Sequence, residues 1–279
     1  MCRLFGFRSV LESQVHSSLV AAENALGVQS QAHPDGWGVA YYVAGTPHVI
    51  KSSAAAFTDG LFSRVSGVVS SNTVLAHVRR ASVGEVNLLN SHPFQFGRWV
   101  FAHNGEVVGF SEVKDTLRAR IEPSLWRYRL GDTDSEVVFF VFLSALLRRT
   151  GLHAPLPGIE PVADSLRETI EGIVALSEQR GLERPRLTTV VTDGTVMVAS
   201  CLGRELHRST WKRHCPERDA CGSYAPACET PQPDRRVSHF IVSSEPLQGQ
   251  NVWERLPDGA FVGCDGALTT YAWGAAGTN

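Results

Sequence analysis

Two helices stand side by side in the middle of the chain with strands on either side, and this arrangement restricts the fold more than any other feature. Asp132-Thr133-Asp134-Ser135-Glu136 is rich in N-cap residues and opens an apolar run to about residue 149. A Pro- and Gly-rich stretch, 151–162, then leads into a second amphipathic segment over 163–178. Before this pair, segments 2–7, 37–42, 73–79 and 99–103 read as buried strands, and 15–26 reads as a helix. After it, 186–192 and 195–202 flank Asp193-Gly194, a two-residue hairpin signal. Strands resume at 237–243, 259–263 and 267–273, with Asp265-Gly266 as another turn. Strands on both sides of a helix pair predict an α+β layered architecture. With no internal repeat and no linker, one domain over 1–279 is expected.

Composition narrows the function class. There are 26 Lys plus Arg against 28 Asp plus Glu, a net charge of -2, which argues against a dedicated nucleic-acid or anionic-membrane surface. No apolar run approaches the roughly 18 residues of a membrane span. The start, Met1-Cys2-Arg3-Leu4-Phe5, has no signal-like apolar core, so a cytoplasmic protein with reduced thiols is expected. Of six cysteines, Cys2 stands alone and the other five lie beyond residue 200.

Cys2 follows Met1 directly, and a small side chain there suits methionine removal. The product would carry a thiol and a free α-amine on one residue. With a pKa of about 7.7–8.0, that amine can accept the thiol proton near neutral pH. The alternative is a small buried hydrophobe at the head of a strand. Three downstream segments bear on the choice. Ala76-His77-Val78-Arg79-Arg80-Ala81-Ser82 puts an arginine pair at a strand end, suited to bidentate capture of a carboxylate or to a surface ion pair. His103-Asn104-Gly105 offers a side-chain amide and a glycine N–H as two oxyanion donors, or a hairpin turn. Asp134 could take an ammonium group or cap its helix.

The ordered set Met-Cys, His-x-Arg, Ser-His-Pro-Phe, His-Asn-Gly and Thr-Asp-Ser-Glu resembles the class II glutamine amidotransferases, whose glutaminase domain is an Ntn-hydrolase αββα sandwich. The motifs cover residues 2 to about 145, and Ser243-Ser244-Glu245-Pro246-Leu247 is similar to standalone members. The resemblance implies Cys2 as nucleophile, its amine as base, and Asn104 with Gly105 as the oxyanion hole. It implies Arg79 at the substrate α-carboxylate, Asp134 at the α-ammonium, and Ser82 on a loop over the substrate. His77, His92 and His103 are read as hydrogen-bonded supports, and His33-Pro34-Asp35-Gly36 as a structural turn near the site.

The synthase-linked members have Trp after the carboxylate-binding Arg. Here that position is Arg80, and no synthase domain or Gly-rich nucleotide loop is evident. Hydrolysis of a γ-glutamyl amide, glutamine or a derivative, is therefore expected, with no cofactor. The alternatives are ammonia delivery to a separate synthase partner and a non-catalytic glutamine-binding module. A cysteine-containing loop insertion over 210–236 holds His214, Cys215, Cys221 and Cys228, a soft-ligand set whose spacing fits no standard knuckle. Reduced thiols in a polar surface loop are expected, with a metal site as the alternative.

Overall fold

The computed structural model describes residues 2–14, 17–152 and 158–274. Two antiparallel sheets form the middle of the molecule. Strands β1 (Arg3–Gln14), β2 (Trp37–Val43), β3 (Thr46–Ser52) and β4 (Ser70–Val78) belong to the first. They are joined there by β9 (His207–Ser209), β10 (His239–Ser243) and β11 (Glu254–Arg255), in the order β11-β9-β10-β1-β4-β2-β3. The second sheet contains β5 (Phe94–Phe96), β6 (Trp99–Glu106), β7 (Arg186–Thr192), β8 (Met197–Ser200), β12 (Phe261–Cys264) and β13 (Thr270–Trp273). Its order is β13-β12-β8-β7-β6-β5.

Period-2 alternation along β1 shows how the layers form. Leu4 faces the partner sheet, packing with Val100, Ala102, Val190, Met197 and Val242 between the two sheets. Phe5 and Phe7 face the other way, against Leu19, Leu26, Trp37 and Phe62. That outer layer carries α1 (Leu26–Gln29) and α2 (Gly60–Val68). On the far side, α3 (Phe110–Arg118), α4 (Asp134–Thr150) and α5 (Ile159–Gln179) cover the second sheet with a third apolar core. Three cores between four layers give the αββα sandwich.

Several local expectations change. The helix expected over 15–26 begins at residues 15 and 16, outside the described residues. Among those described, β1 continues to Gln14 past an irregularity between Arg8 and Ser13, and a single π-type turn covers Ser17–Ala21. Asp193-Gly194 sits in a four-residue connection between Thr192 and Met197, closed by Asp193 Oδ1 accepting from the N–H groups of Thr195 and Val196 at 2.8 Å. Asp265-Gly266 likewise belongs to a longer connection, because β13 starts only at Thr270. The aspartates bond forward along the chain in both loops, which widens the turn.

Among the described residues, no helix is long and apolar enough to cross a membrane. The 210–236 segment is mostly irregular, but it is not wholly at the surface. Cys215 and Cys228 are buried and line a cavity of about 380 Å³ with Phe7, Ile241 and His239 on the outer side of the first sheet. All six cysteines are free. No group of three His, Cys, Asp or Glu side chains among the described residues is arranged to hold a metal, so His214, Cys215, Cys221 and Cys228 do not come together as a ligand set.

Candidate active site

Antiparallel pairing fixes the surroundings of Cys2. Arg3 lies opposite Val78, so the residue before β1 meets the chain as it leaves β4. There the Cys2 thiol donates to the Arg80 carbonyl at 3.4 Å and accepts from the Arg80 N–H at 3.3 Å. Burial pushes the thiol pKa up, while the Arg80 N–H and the charge of Arg79 pull it the other way. A thiol in this position stays protonated near neutral pH and needs a base to become a nucleophile.

The Arg79 guanidinium is buried. Nη1 donates to the Glu85 carbonyl at 2.9 Å, and Nη2 donates to the carbonyls of Val83 at 3.0 Å and Gly84 at 3.3 Å. Arg79 therefore shapes the loop on which Ser82 is exposed. The backbone of Arg79 is held in turn by the 33–36 turn. Arg79 N donates to Gly36 O at 2.8 Å, Asp35 N to Arg79 O at 3.0 Å, and Ala81 N to Asp35 Oδ2 at 2.9 Å. The turn passes through Gly36 at φ +124°, where a Cβ would stand 2.9 Å from both Ser52 O and Ser91 Oγ. Its position explains the run His33-Pro34-Asp35-Gly36 as a clamp on the strand end that carries Arg79.

Asn104-Gly105 is not a turn. β6 runs through both residues to Glu106, and Gly105 pairs with Leu187 of β7. Gly105 has φ +157°, and a Cβ there would lie 1.9 Å from the Arg186 carbonyl oxygen, so the backbone requires glycine. Asn104 is buried, with Nδ2 at 3.2 Å from Ser244 Oγ and Oδ1 without a partner.

Asp134 stands at the first turn of α4, where Thr133 Oγ1 caps by accepting from Glu136 N at 3.2 Å. Its Oδ2 accepts from Val107 N at 2.7 Å and its Oδ1 from Ser135 N at 2.8 Å. The Asp134 carboxylate thus ties α4 to the chain just beyond Gly105, while the cap itself is Thr133, and it lies within electrostatic reach of Cys2 and Arg79. Beside these groups a cavity of about 540 Å³ opens between Ser82, Val83 and Gly84 on one wall and Glu106 to Ser111 on the other, with Asp132 and Lys114 also lining it.

Of the three histidines expected to be hydrogen-bonded supports, His77 and His103 make hydrogen bonds, whereas both ring nitrogens of His92 are buried without a partner. His103 Nε2 donates to the Arg186 carbonyl at 2.8 Å, which leaves Nδ1 to accept from Ser135 Oγ at 2.9 Å. His77 Nε2 donates to the His103 carbonyl at 3.2 Å. The His92 ring stacks at a tilt on His77, with centroids 4.3 Å apart. Burial lowers all three pKa values, His77 to about 3 and His92 well below its ordinary value, so they stand neutral at physiological pH. His239, on the outer side of the first sheet, is likewise pushed down to about 3 by burial. Unfolding returns these rings to an ordinary value of 6.5, so the unfolded chain binds more protons between about pH 3 and 6.5. Stability is therefore expected to fall as pH drops through that window. Thermal unfolding followed from neutral pH to about pH 4.5 should show a declining Tm, and a level Tm would contradict the buried neutral assignment.

The thiol at the head of a central strand, two facing antiparallel sheets and flanking helices define an Ntn-hydrolase-like enzyme fold. Residues 1–274 match the family of class-II glutamine amidotransferases, and the chain belongs to that family. YafJ of Escherichia coli (strain K12), whose name places it among glutamine amidotransferases, is 25% identical over 271 residues, covering 94% of this chain and 96% of YafJ. The gamma-glutamyl-hercynylcysteine sulfoxide hydrolase of Mycobacterium tuberculosis (strain CDC 1551 / Oshkosh) is 33% identical over 117 residues, 38% of this chain and 50% of that protein. In fold, a glutamine aminotransferase class-II domain protein from Silicibacter pomeroyi superposes with a TM-score of 0.65 at 23% identity, over 99% of this chain and 100% of that one.

Proposed function

We propose that the chain hydrolyses a γ-glutamyl amide, glutamine or a γ-glutamyl derivative, with Cys2 as nucleophile after loss of Met1. The observation that carries this reading is the placement of the Cys2 sulfur on the backbone of Arg80, beside Arg79. The freed α-amine takes the thiol proton and the sulfur attacks the amide carbon. The oxyanion is held by the Asn104 amide and the Gly105 N–H. The C–N bond then breaks as the ammonium returns its proton to the departing amine, leaving a γ-glutamyl thioester. Water, deprotonated by the same amine, attacks the thioester and releases glutamate and the free thiol.

Arg79 takes the α-carboxylate, Asp134 the α-ammonium, and the loop bearing Ser82 closes over the substrate. No cofactor enters this sequence, and the whole of 1–279 acts as one domain. Arg80 is exposed where synthase-linked members place a gating Trp, which favours hydrolysis over ammonia transfer to a separate synthase. The relative named for hydrolysis of a γ-glutamyl compound supports the same choice.

A panel of γ-glutamyl amides, including glutamine, tests the reading with processed protein and an assay for free glutamate. At least one member is expected to release glutamate and its amine in equal amounts, with no partner protein present. No turnover of any member, or turnover undiminished in Cys2→Ala, would contradict it. The role of Arg79 has its own expected outcome. Arg79→Lys keeps the charge but loses the fork that matches a carboxylate, so KM should rise about tenfold or more, from the loss of a bidentate charged pair. An unchanged KM would remove Arg79 from substrate binding.

A further inference from the structure

Ser244 joins three parts of the site that lie far apart in sequence. Its hydroxyl oxygen accepts from the Leu4 N–H at 3.0 Å, and its own N–H donates to the Leu4 carbonyl at 3.1 Å, which pins it to the strand that starts at the nucleophile. The same oxygen lies 3.2 Å from Asn104 Nδ2. Ser244 is buried, and among the described residues its hydroxyl oxygen has no other hydrogen-bond partner.

The protons can be assigned from this geometry. Leu4 N–H supplies one hydrogen to the Ser244 oxygen, so the serine must place its own proton elsewhere, and the Asn104 amide is the group within reach. An amide nitrogen accepts no hydrogen bond, whereas the amide oxygen does. In the orientation that puts Nδ2 against Ser244, the serine proton has no acceptor and Asn104 Oδ1 is buried without a partner. The two ends of an asparagine amide have almost the same shape, so the hydrogen-bond network decides which is which. Turning the amide over lets Ser244 donate to the oxygen, and the NH2 group then occupies the unpartnered position.

We infer that Ser244 is a positioning residue for the oxyanion donor: its hydroxyl holds the Asn104 carbonyl oxygen and thereby aims the amide NH2 at the reacting carbonyl. This rests on the reading of Asn104 as an oxyanion donor. The amide then needs no rearrangement when charge develops, and its donor stays unpaired until the tetrahedral oxyanion forms. Leu4 is two residues from Cys2, so the same hydroxyl also registers the oxyanion donor against the nucleophile strand.

The test uses Ser244→Ala, Ser244→Cys and Ser244→Thr, with Asn104→Ala and the double variant S244A/N104A, all on processed full-length protein turning over the best γ-glutamyl amide. Ser244→Ala is expected to lower kcat about 10- to 100-fold, part of the loss for a missing oxyanion donor, with KM within about twofold. Ser244→Cys, close in shape but a weak donor, should fall nearly as far, and Ser244→Thr should recover most of kcat. The double variant should be no slower than Asn104→Ala, because without the amide the hydroxyl has nothing to aim. If Asn104→Ala is impaired while Ser244→Ala and Ser244→Cys keep wild-type kcat, the Ser244 assignment is wrong and the oxyanion reading survives. Additive losses in the double variant would also overturn the assignment. A fully active Asn104→Ala would overturn both.

Discussion

A chain kept from losing Met1 is expected to hydrolyse its γ-glutamyl substrate about 10²- to 10⁴-fold more slowly than the processed chain, the usual contribution of a positioned general base. The Cys2 thiol is buried and its pKa is raised, so at neutral pH almost none of it is thiolate without help. The buried imidazoles offer little: burial lowers His33 to about 4 and His77 to about 3, His92 and His103 are lowered as well, and His77 and His103 are committed to hydrogen bonds with backbone carbonyls or Ser135. The proposed base is the amine of Cys2 itself, and in a peptide bond it has no basicity. A cleavable N-terminal extension allows the comparison on one preparation, assayed before and after a site-specific protease exposes Cys2. Equal rates before and after cleavage would show that the amine is not the base.

Gly105→Ala is expected to be nearly as damaging, for a steric reason. The added methyl would stand 1.9 Å from the Arg186 carbonyl oxygen and 2.8 Å from His103 Nε2. The first contact is with the β7 backbone that pairs with β6, so relief requires the backbone to move. Such a shift carries the Gly105 N–H away from its proposed oxyanion position and disturbs the bond from His103 to Arg186. A loss of about 10²- to 10³-fold in kcat follows from removing one oxyanion donor. Overpacking against fixed backbone should also cost about 1–3 kcal/mol of stability, visible as a lower Tm. An alanine variant with normal kcat would mean that the Gly105 N–H does not face the reacting carbonyl.

The candidate site residues stand out in short-range pattern because each lies at or near the end of an element. Arg79 follows an apolar strand, Asn104-Gly105 ends another, and Asp134 opens a capped helix. What pattern alone left open was the choice between paired readings. Asn-Gly has the chemistry of a turn, and only the β6–β7 register, with Gly105 against Leu187, shows a continuing strand. For Asp134 neither paired reading foresaw its contacts: Thr133 is the cap, and the carboxylate bonds both Ser135 N and the distant Val107 N.

The misses share a cause in long-range contacts. Helix α2 contains two glycines, two serines and two valines, a poor helical composition. Asp59 secures it by capping Leu61 N at 2.9 Å while accepting from Trp37 Nε1 at 3.0 Å. Helix α3 did carry a readable signal, Phe110, Val113 and Leu117 on one buried face, but it is only nine residues long. Residues 17–26 carry helix-like apolar spacing, yet among the described residues that segment folds as short turns against the outer face of β1. Ser244 could not be singled out from Ser243 by composition. Its importance comes from a contact with Asn104, 140 positions earlier.

The proposed role of Cys2, the nucleophile of a γ-glutamyl site, is open to direct chemical labelling. Intact-mass measurement and peptide mapping after exposure to 6-diazo-5-oxo-L-norleucine, a glutamine-mimicking electrophile, test it most directly. The processed chain is expected to gain one equivalent of the reagent less dinitrogen, located on Cys2, with glutamine slowing the reaction and Cys2→Ala showing no gain. A processed chain that takes up no label, or labels to the same extent as Cys2→Ala, would contradict it.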